Sequence, residues 1–537
     1  MNMPANLFMW FIAALPIIAL LVLMIKFQWG ATEAAPMGLL IAVICGVIFY
    51  KADLKLITIE SAKGVWSSIV VLTIVWPAIL LFEVVDEAKG FSVIRKGMQK
   101  LLPNELLQLL AMSWIFISFL QGITGFGVPV AVGAPLLVGM GVNPLWAVII
   151  PLIGHAWGNT FGTLSVGWDA LAMSANLEVG SELYLKTALW AAAFIWIWNI
   201  ITGLSICWFY GRKKAIKKGL PAVLIMSLIH GGGQMILTQI NTTLSCFIPA
   251  CIAFIVIFIL GKTKFYKDPW RIEDSKIMDH ENSIKTEEDA PRDMTIKDAF
   301  VPYIILSAIT LFVLLIPAVK SVLGQISFGL SFSETSTGYD FINEAVSSYS
   351  PISPLIHSGT FLFAASVLGL LFYKKHGWIK NNRMKAVFVR SLLKTIPSGI
   401  AVIGFIIMSK IMGGTGQTMV LAYGISEVLG KGYAFLAPVV GMLGSFMTSS
   451  NMASNILFGE FQLTTAKLLG LNAAAILGAQ TAGGAIGNTI CPGNIILGTT
   501  TANILGKEGQ VLKKIMPITL SAAVIVGAIL FVTQIIL

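Results

Sequence analysis

Long apolar runs, each about as long as a bilayer is thick, constrain this chain more than any motif does. A helix needs about 20 mostly apolar residues to cross the hydrocarbon core. Residues 4–25, 64–82, 106–120, 183–209, 242–260, 300–320, 354–373, 395–412, 432–448 and 515–537 are such runs or come close to that length. A shorter one covers 37–50, with Lys51 at its end, and 220–240 is broken by Gly231, Gly232 and Gly233. The runs are continuous rather than alternating, which predicts helices and not a barrel. Only 12% of residues are charged while 56% are hydrophobic, and a soluble domain has about 25% charged residues. In lipid every backbone N–H and C=O must be paired within the protein, so helices are the answer such a chain can give. The expected fold is an all-α polytopic membrane protein with about 12–14 transmembrane helices.

The formal charge of +10 sits in short loops between the runs. Residues 212–218 (RKKAIKK) hold five basic side chains, and 374–394 hold seven with no acid. Such loops face the cytoplasm. From 321 to 373 there is no Lys or Arg but Glu334, Asp340 and Glu344 occur, so the 324–353 segment is expected outside. No basic face interleaved with aromatics exists, which argues against a nucleic-acid partner. The cysteines, Cys45, Cys207, Cys246, Cys251 and Cys491, form no CxxC pair, so neither a disulfide framework nor a metal site is indicated. The first run lacks a basic n-region and reads as a span rather than a cleaved leader. The polar, mixed-charge stretch 262–298 is expected to be a cytoplasmic linker between two transmembrane halves, 1–261 and 299–537.

The halves share a repeat. At an offset of 329 residues (470 minus 141), GVNPLWAVIIPLIGHAWGNT at 141–160 matches GLNAAAILGAQTAGGAIGNT at 470–489 in 7 of 20 positions, including a shared GNT. Upstream of each copy lies a second interruption, QGITGFGVP at 121–129 and TSSNMASN at 448–455. Paired breaks in two halves point to a transporter's binding site at the repeat interface. Each break creates a helix N-terminus whose free N–H groups suit an anion. Small residues also serve helix packing, but so many amides and hydroxyls at membrane depth favour function. The candidate substrate residues are Gln121, Thr124, Gly125, Phe126 and Gly127 on one side and Ser449, Ser450, Asn451, Ser454 and Asn455 on the other. His155, Asn159, Thr160, Asn488 and Thr489 are candidates for the ligand or a coupling ion. His155 is either a proton carrier or an interior histidine satisfied by a carbonyl. Lys410 is expected to snorkel to the interface, Asp169 to lie in an interfacial loop, and Glu83, Asp86 and Glu87 to be solvated.

No GxxxxGK[ST], HExxH or GxSxG element occurs, so neither an enzyme nor ATP-driven transport is expected, and no cofactor is. A channel or membrane enzyme is the least favoured reading.

Three segments carry a family resemblance. GITGFGVPVAVGAPLLVGMG at 122–141, FLAPVVGMLGSFMTSSNMASNIL at 435–457 and GGAIGNTICP at 483–492 resemble, in order, the three signatures of the lactate permease family. The resemblance extends from the first span to Gly506, Lys507 and Glu508. It implies two inverted repeats, each with a re-entrant hairpin, in the bacterial plasma membrane. It also implies uptake of L-lactate, D-lactate or glycolate, generally with protons; Na⁺ is the other coupling ion considered, and a homodimer is compatible with it. The chain departs from the pattern at three signature positions and in one further element. Gln121 and Asn451 stand where the family has carboxylates, and Asn488 where it has lysine, while the family's NTAP element is replaced around His155. These neutral positions leave another organic anion or a neutral solute open as the ligand.

Overall fold

The computed structural model describes residues 4, 6–27, 29–125, 127–279, 291 and 293–536. Among them eight helices are long and apolar enough to cross a membrane. The pair Val301–Leu315 and Pro317–Leu323, bent by 89°, would make nine. One of the eight, Glu182–Thr238, has 57 residues, about 86 Å at about 1.5 Å per residue and far longer than one crossing. It breaks at Gly211 (φ −162°, ψ 29°) and Arg212 (φ 51°, ψ −138°), where the basic 212–218 run begins. It therefore holds the expected span 183–209 and nearly all of 220–240, and Gly231 and Gly232 of the second fall in a widened π-turn, Leu228–Gly232, with Gly233 starting the next α-helix.

The helix Leu54–Glu87 fixes the position of the lipid. Its 34 residues are longer than the core, but 64–82 carries no charge and covers about 28 Å, close to the hydrocarbon thickness of about 30 Å. Charges flank this stretch. At one end Lys63 pairs with Glu60 at 2.7 Å. At the other Glu83 and Glu87 meet the helix Met384–Gly414, which packs along its length. Arg390 Nε lies 2.9 Å from Glu83, Arg383 Nε lies 2.7 Å from Glu87, and Lys394 also pairs with Glu83. Glu83 is 1% exposed, so the expectation that it is solvated is corrected. Its cations come from a helix about 300 residues away in sequence and neutralise it in place.

The 324–353 segment is not plain loop. Phe328–Phe332 pairs antiparallel with Val346–Ile352, and Thr335–Ser336 with Ile342–Asn343. This small β-unit sits on the Glu60 and Lys63 end: the Lys55 ammonium donates to the Glu334 carbonyl, and Trp66 donates to that of Ser350. The helix Ala31–Ile48 ends there too, since the Gly338 N–H donates to the Lys51 carbonyl at 3.0 Å. Lys410 also lies at this end, its ammonium 5.7 Å from the Tyr349 ring. The described part of the 262–298 stretch is docked rather than free. Tyr266 and Ile277 are buried, and the Glu105 and Asn143 N–H groups donate to the carbonyls of Trp270 and Ile277.

Candidate functional site

Four chain breaks meet in the interior. The first separates the helices Phe116–Ile123 and Val128–Val138. Gly125 (φ +56°) and Gly127 (φ +80°) adopt left-handed conformations that favour glycine. The second separates Tyr433–Thr448 from Asn451–Leu468. Ser449 (φ +56°) is left-handed, and the Ser450 hydroxyl caps the new helix by accepting from the Ala453 N–H. The third and fourth are the two GNT elements. Pro144–His155 passes into a 3₁₀ turn at Ala156–Gly158, and Ala473–Gly487 passes into one at Asn488–Ile490. A helix then starts at Pro492.

A cavity of about 1140 Å³ lies among these breaks. Gln121, Gly127, Ser449, Ser450 and Asn451 line it, and so do His155, Asn159 and Asn488. The N-termini of three helices, Val128–Val138, Asn451–Leu468 and Pro492–Thr501, open on it. The mouth is formed by exposed segments, among them Trp29, Gly30, Leu505 and Gly506. The mouth and the β-unit therefore lie at opposite ends of the helix Ala31–Ile48. Its 18 residues span about 27 Å, roughly one hydrocarbon core. Arg383, Arg390 and Lys394 lie at the mouth's end, the side that the positive-inside rule assigns to the cytoplasm.

The remaining candidates support the lining instead of forming it. Thr124 donates to the Leu120 carbonyl at 2.9 Å. Gly125 leaves room for the Thr163 hydroxyl, which a β-carbon would strike. Ser454 donates to the Gly441 carbonyl and Thr489 to that of Ile486. Phe126 lies outside the described residues.

The two halves are stitched together by amides and hydroxyls. Thr160 Oγ1 lies 3.0 Å from Thr481 Oγ1. The Asn451 side chain donates to Thr160 Oγ1 at 3.1 Å. The Asn455 side chain donates to Thr481 Oγ1 at 2.8 Å and to the Gly167 carbonyl at 2.9 Å. Asn159 reaches the Ala485 carbonyl at 3.3 Å. The acceptor oxygens of Gln121, Asn451 and Asn455 find no partner among the described residues. Buried polar atoms are normally paired, so these three oxygens, closed off from the cavity, are exceptions in the interior.

His155 joins the two GNT elements. Its Nδ1 lies 3.1 Å from the Pro151 carbonyl, and its Nε2 lies 2.9 Å from Asn488 Oδ1. Asn488 Oδ1 also accepts from the Asn494 amide at 2.8 Å, while its own amide donates to the Ser449 carbonyl at 3.3 Å. This network assigns the Asn488 orientation, because a flip would set two carbonyls against each other. Both ring nitrogens then face acceptors, and only an imidazolium donates to both. His155 thus contacts a side chain of the second half as well as a carbonyl of its own helix.

Sequence reasoning missed Asn494, Thr481 and Thr163. Thr481 lies inside the second repeat copy, and Asn494 two residues beyond the third signature segment, so the signal was adjacency to a motif. Asp169 corrects an expectation. It lies within the helix Gly162–Ser174, not in a loop. Lys410 does not line the cavity.

A multi-helix membrane protein with broken helices meeting around a central cavity has the architecture of a transporter. The L-lactate permease family model matches residues 10–537, and the chain belongs to that family. It is 26% identical to the L-lactate permease of Halalkalibacterium halodurans over 94% of this chain and 92% of that one. The L-lactate permease of Escherichia coli K12 is 26% identical over 96% and 94%, and that of Bacillus subtilis 27% identical over 88% and 86%. The solved YdaH transporter of Alcanivorax borkumensis aligns with a TM-score of 0.39 and 12% identity over 86% of this chain and 85% of that one, a likeness too remote to bear on the site. The chain is a multi-pass protein of the bacterial plasma membrane.

Proposed function

We propose that this protein is a secondary transporter for a small 2-hydroxy monocarboxylate, L-lactate first and D-lactate or glycolate with it, and that a proton crosses with the anion. The observation that carries the reading is His155. Its geometry suits an imidazolium, and a buried cation is costly unless an anion sits near it. A carboxylate at the inner end of the cavity provides that anion, and the three helix N-termini favour it. Proton and carboxylate then stabilise each other's binding, which is what symport requires. The family resemblance places a lysine where Asn488 stands. His155, in contact with Asn488, returns the positive charge to nearly the same place by a group that can also lose it. Inverted symmetry of the two halves belongs to this reading, supported by the matched GNT elements.

Counterflow of labelled L-lactate into liposomes holding the purified protein, with pH and Na⁺ gradients imposed separately, tests it. Saturable uptake driven by the pH gradient is expected. Uptake driven by Na⁺ would replace the coupling ion. No lactate uptake under any gradient would sink the substrate assignment and turn attention to another anion or a neutral solute. Transport left intact by both Asn451→Ala and Asn455→Ala would remove the amide knot from the site.

A further inference from the structure

A second cavity, of about 150 Å³, lies on the other side of the helix Gly162–Ser174. Apolar side chains form most of its wall, including Val70, Val71, Ile74 and Met173. The ionisable groups in it are Asp169 and His357, and Ser350 and Pro351 of the β-unit close its outer end. It is therefore reached from the side opposite to the mouth of the main cavity.

Asp169 is unusual in its surroundings. Its carboxylate accepts only from the Ser165 hydroxyl, 3.3 Å from each oxygen, among the described hydrogen bonds. No Lys or Arg pairs with it among the described residues. The titratable groups that face it are His357 and Tyr184, whose hydroxyl bonds that of Thr242 at 2.9 Å. From the helix Asn451–Leu468 the acidic Glu460 turns away to lie against Gly413. The helix Leu54–Glu87 presents only its valines and Ile74 to the cavity. The other neighbours, Phe116–Ile123, Thr242–Leu244, Phe247–Gly261 and Ala473–Gly487, contain no charged residue. Asp169 is exposed on the small cavity, and a carboxylate without a cationic partner inside a membrane protein usually serves an ion pathway. Protonation neutralises it without a partner. His357 cannot be the store, because its Nδ1 already accepts from the Gly359 N–H at 3.3 Å. The neutral ring thus keeps its proton on Nε2.

One wall divides this cavity from the main one. Val166 lines both. Immediately before it, Thr163, Leu164 and Ser165 have φ of 50°, 53° and 70°. Three successive non-glycine residues in the left-handed region are strained, and such strain gathers where a segment must switch. Thr163 faces the main cavity while Ser165 holds Asp169. The strained turn is physically continuous with both compartments.

We propose that Asp169 takes up the coupling proton from the β-unit side and delivers it across the Thr163–Val166 turn to the substrate cavity. This rests on the reading of the chain as a proton-coupled permease. The carboxylate accepts a proton from water in the small cavity and becomes neutral. It releases that proton to the main cavity, where His155 binds it beside the anion. One proton and one carboxylate then cross together with no net charge.

The test separates exchange from net transport in liposomes. Counterflow in wild type reports whether lactate is carried at all, independently of Asp169. In Asp169→Asn, pH-driven accumulation is expected to fall to the level seen without a gradient, while counterflow continues. Asp169→Glu, which keeps an acid, should accumulate lactate again with a shifted pH profile. Gradient-driven uptake intact in Asp169→Asn overturns the inference, and so does loss of counterflow in a folded Asp169→Asn protein. If wild type carries no lactate, a pH-jump infrared difference spectrum still decides. The expected result is a protonated-carboxyl C=O band in wild type that is missing in Asp169→Asn, and identical spectra overturn the assignment.

Discussion

At the scale of the residue, three neutral amides, Gln121, Asn451 and Asn488, stand where the family resemblance gives charged groups, and a histidine touches one of them. His155 and Asn488 are 333 positions apart and touch at 2.9 Å. No single-sequence argument joins them, although each was legible as a polar interruption of an apolar run. Their contact makes a specific prediction. Lactate should bind wild type more tightly as pH falls, because the protonated ring and the anion favour each other. His155→Gln keeps a polar side chain but removes the titration, so the affinity should drop and its pH dependence flatten. Calorimetry across a pH series reads both effects, and an unchanged pH profile would exclude His155 as the coupled group. Adding Asn488→Lys to His155→Gln should recover affinity without pH dependence, since lysine carries a charge that stays on across that range. Asn455 belongs to the same scale but to stability. Its amide pairs a carbonyl and a hydroxyl in the interior, and leaving buried groups unpaired costs about 1–3 kcal/mol. Asn455→Ala should lower the melting temperature in detergent even without ligand.

At the scale of the element, close helix packing holds the breaks in register. The helices Tyr433–Thr448 and Ala473–Gly487 cross with backbone against backbone. A β-carbon on Gly483 would strike the Pro438 carbonyl, and one on Gly441 would strike that of Gln480. Small residues allow this approach, as is common between membrane helices. Gly483→Ala should therefore destabilise by about 1–3 kcal/mol through overpacking. Gly432→Ala, where a β-carbon meets nothing within 4 Å, should leave stability within about 0.5 kcal/mol of wild type. Thermal melts of both variants in one detergent make the comparison, and equal melting temperatures would mean that the helices separate easily. The elements were readable where length decided them, as the uncharged stretch 64–82 inside Leu54–Glu87 illustrates. They were unreadable where distant partners decided them. Glu83 looked like a span end because its cations lie on another helix, the nearest pairing 307 residues away. Asp169 follows a tryptophan and resembled an interfacial loop, yet tertiary packing continues the helix through it. The strands of the β-unit carry no turn signature stronger than the Ser-rich sequence around them.

At the scale of the whole molecule, the two cavities give the protein a direction. The large one opens beside Trp29 and Leu505, and the small one lies under the β-unit at the other end of the Ala31–Ile48 helix. Arg383, Arg390 and Lys394 mark the first end as cytoplasmic by the positive-inside rule. On that orientation the large cavity opens toward the cytoplasm and the β-unit covers the opposite end. Ile496 is 49% exposed and lines the large cavity, while Ser336 is exposed on the β-unit. Of the native cysteines, four are buried and Cys251 is half-buried, so an introduced thiol at either position stands out against a quiet background. A membrane-impermeant maleimide should label Ile496→Cys in inside-out vesicles and Ser336→Cys in right-side-out ones. Saturating lactate should slow the reaction at Ile496→Cys, by filling the cavity or by drawing the molecule away from its inward-open state, and leave Ser336→Cys unchanged. The reverse sidedness would invert the topology and move the Asp169 cavity to the cytoplasm, so that a proton entering there would leave with the exported anion.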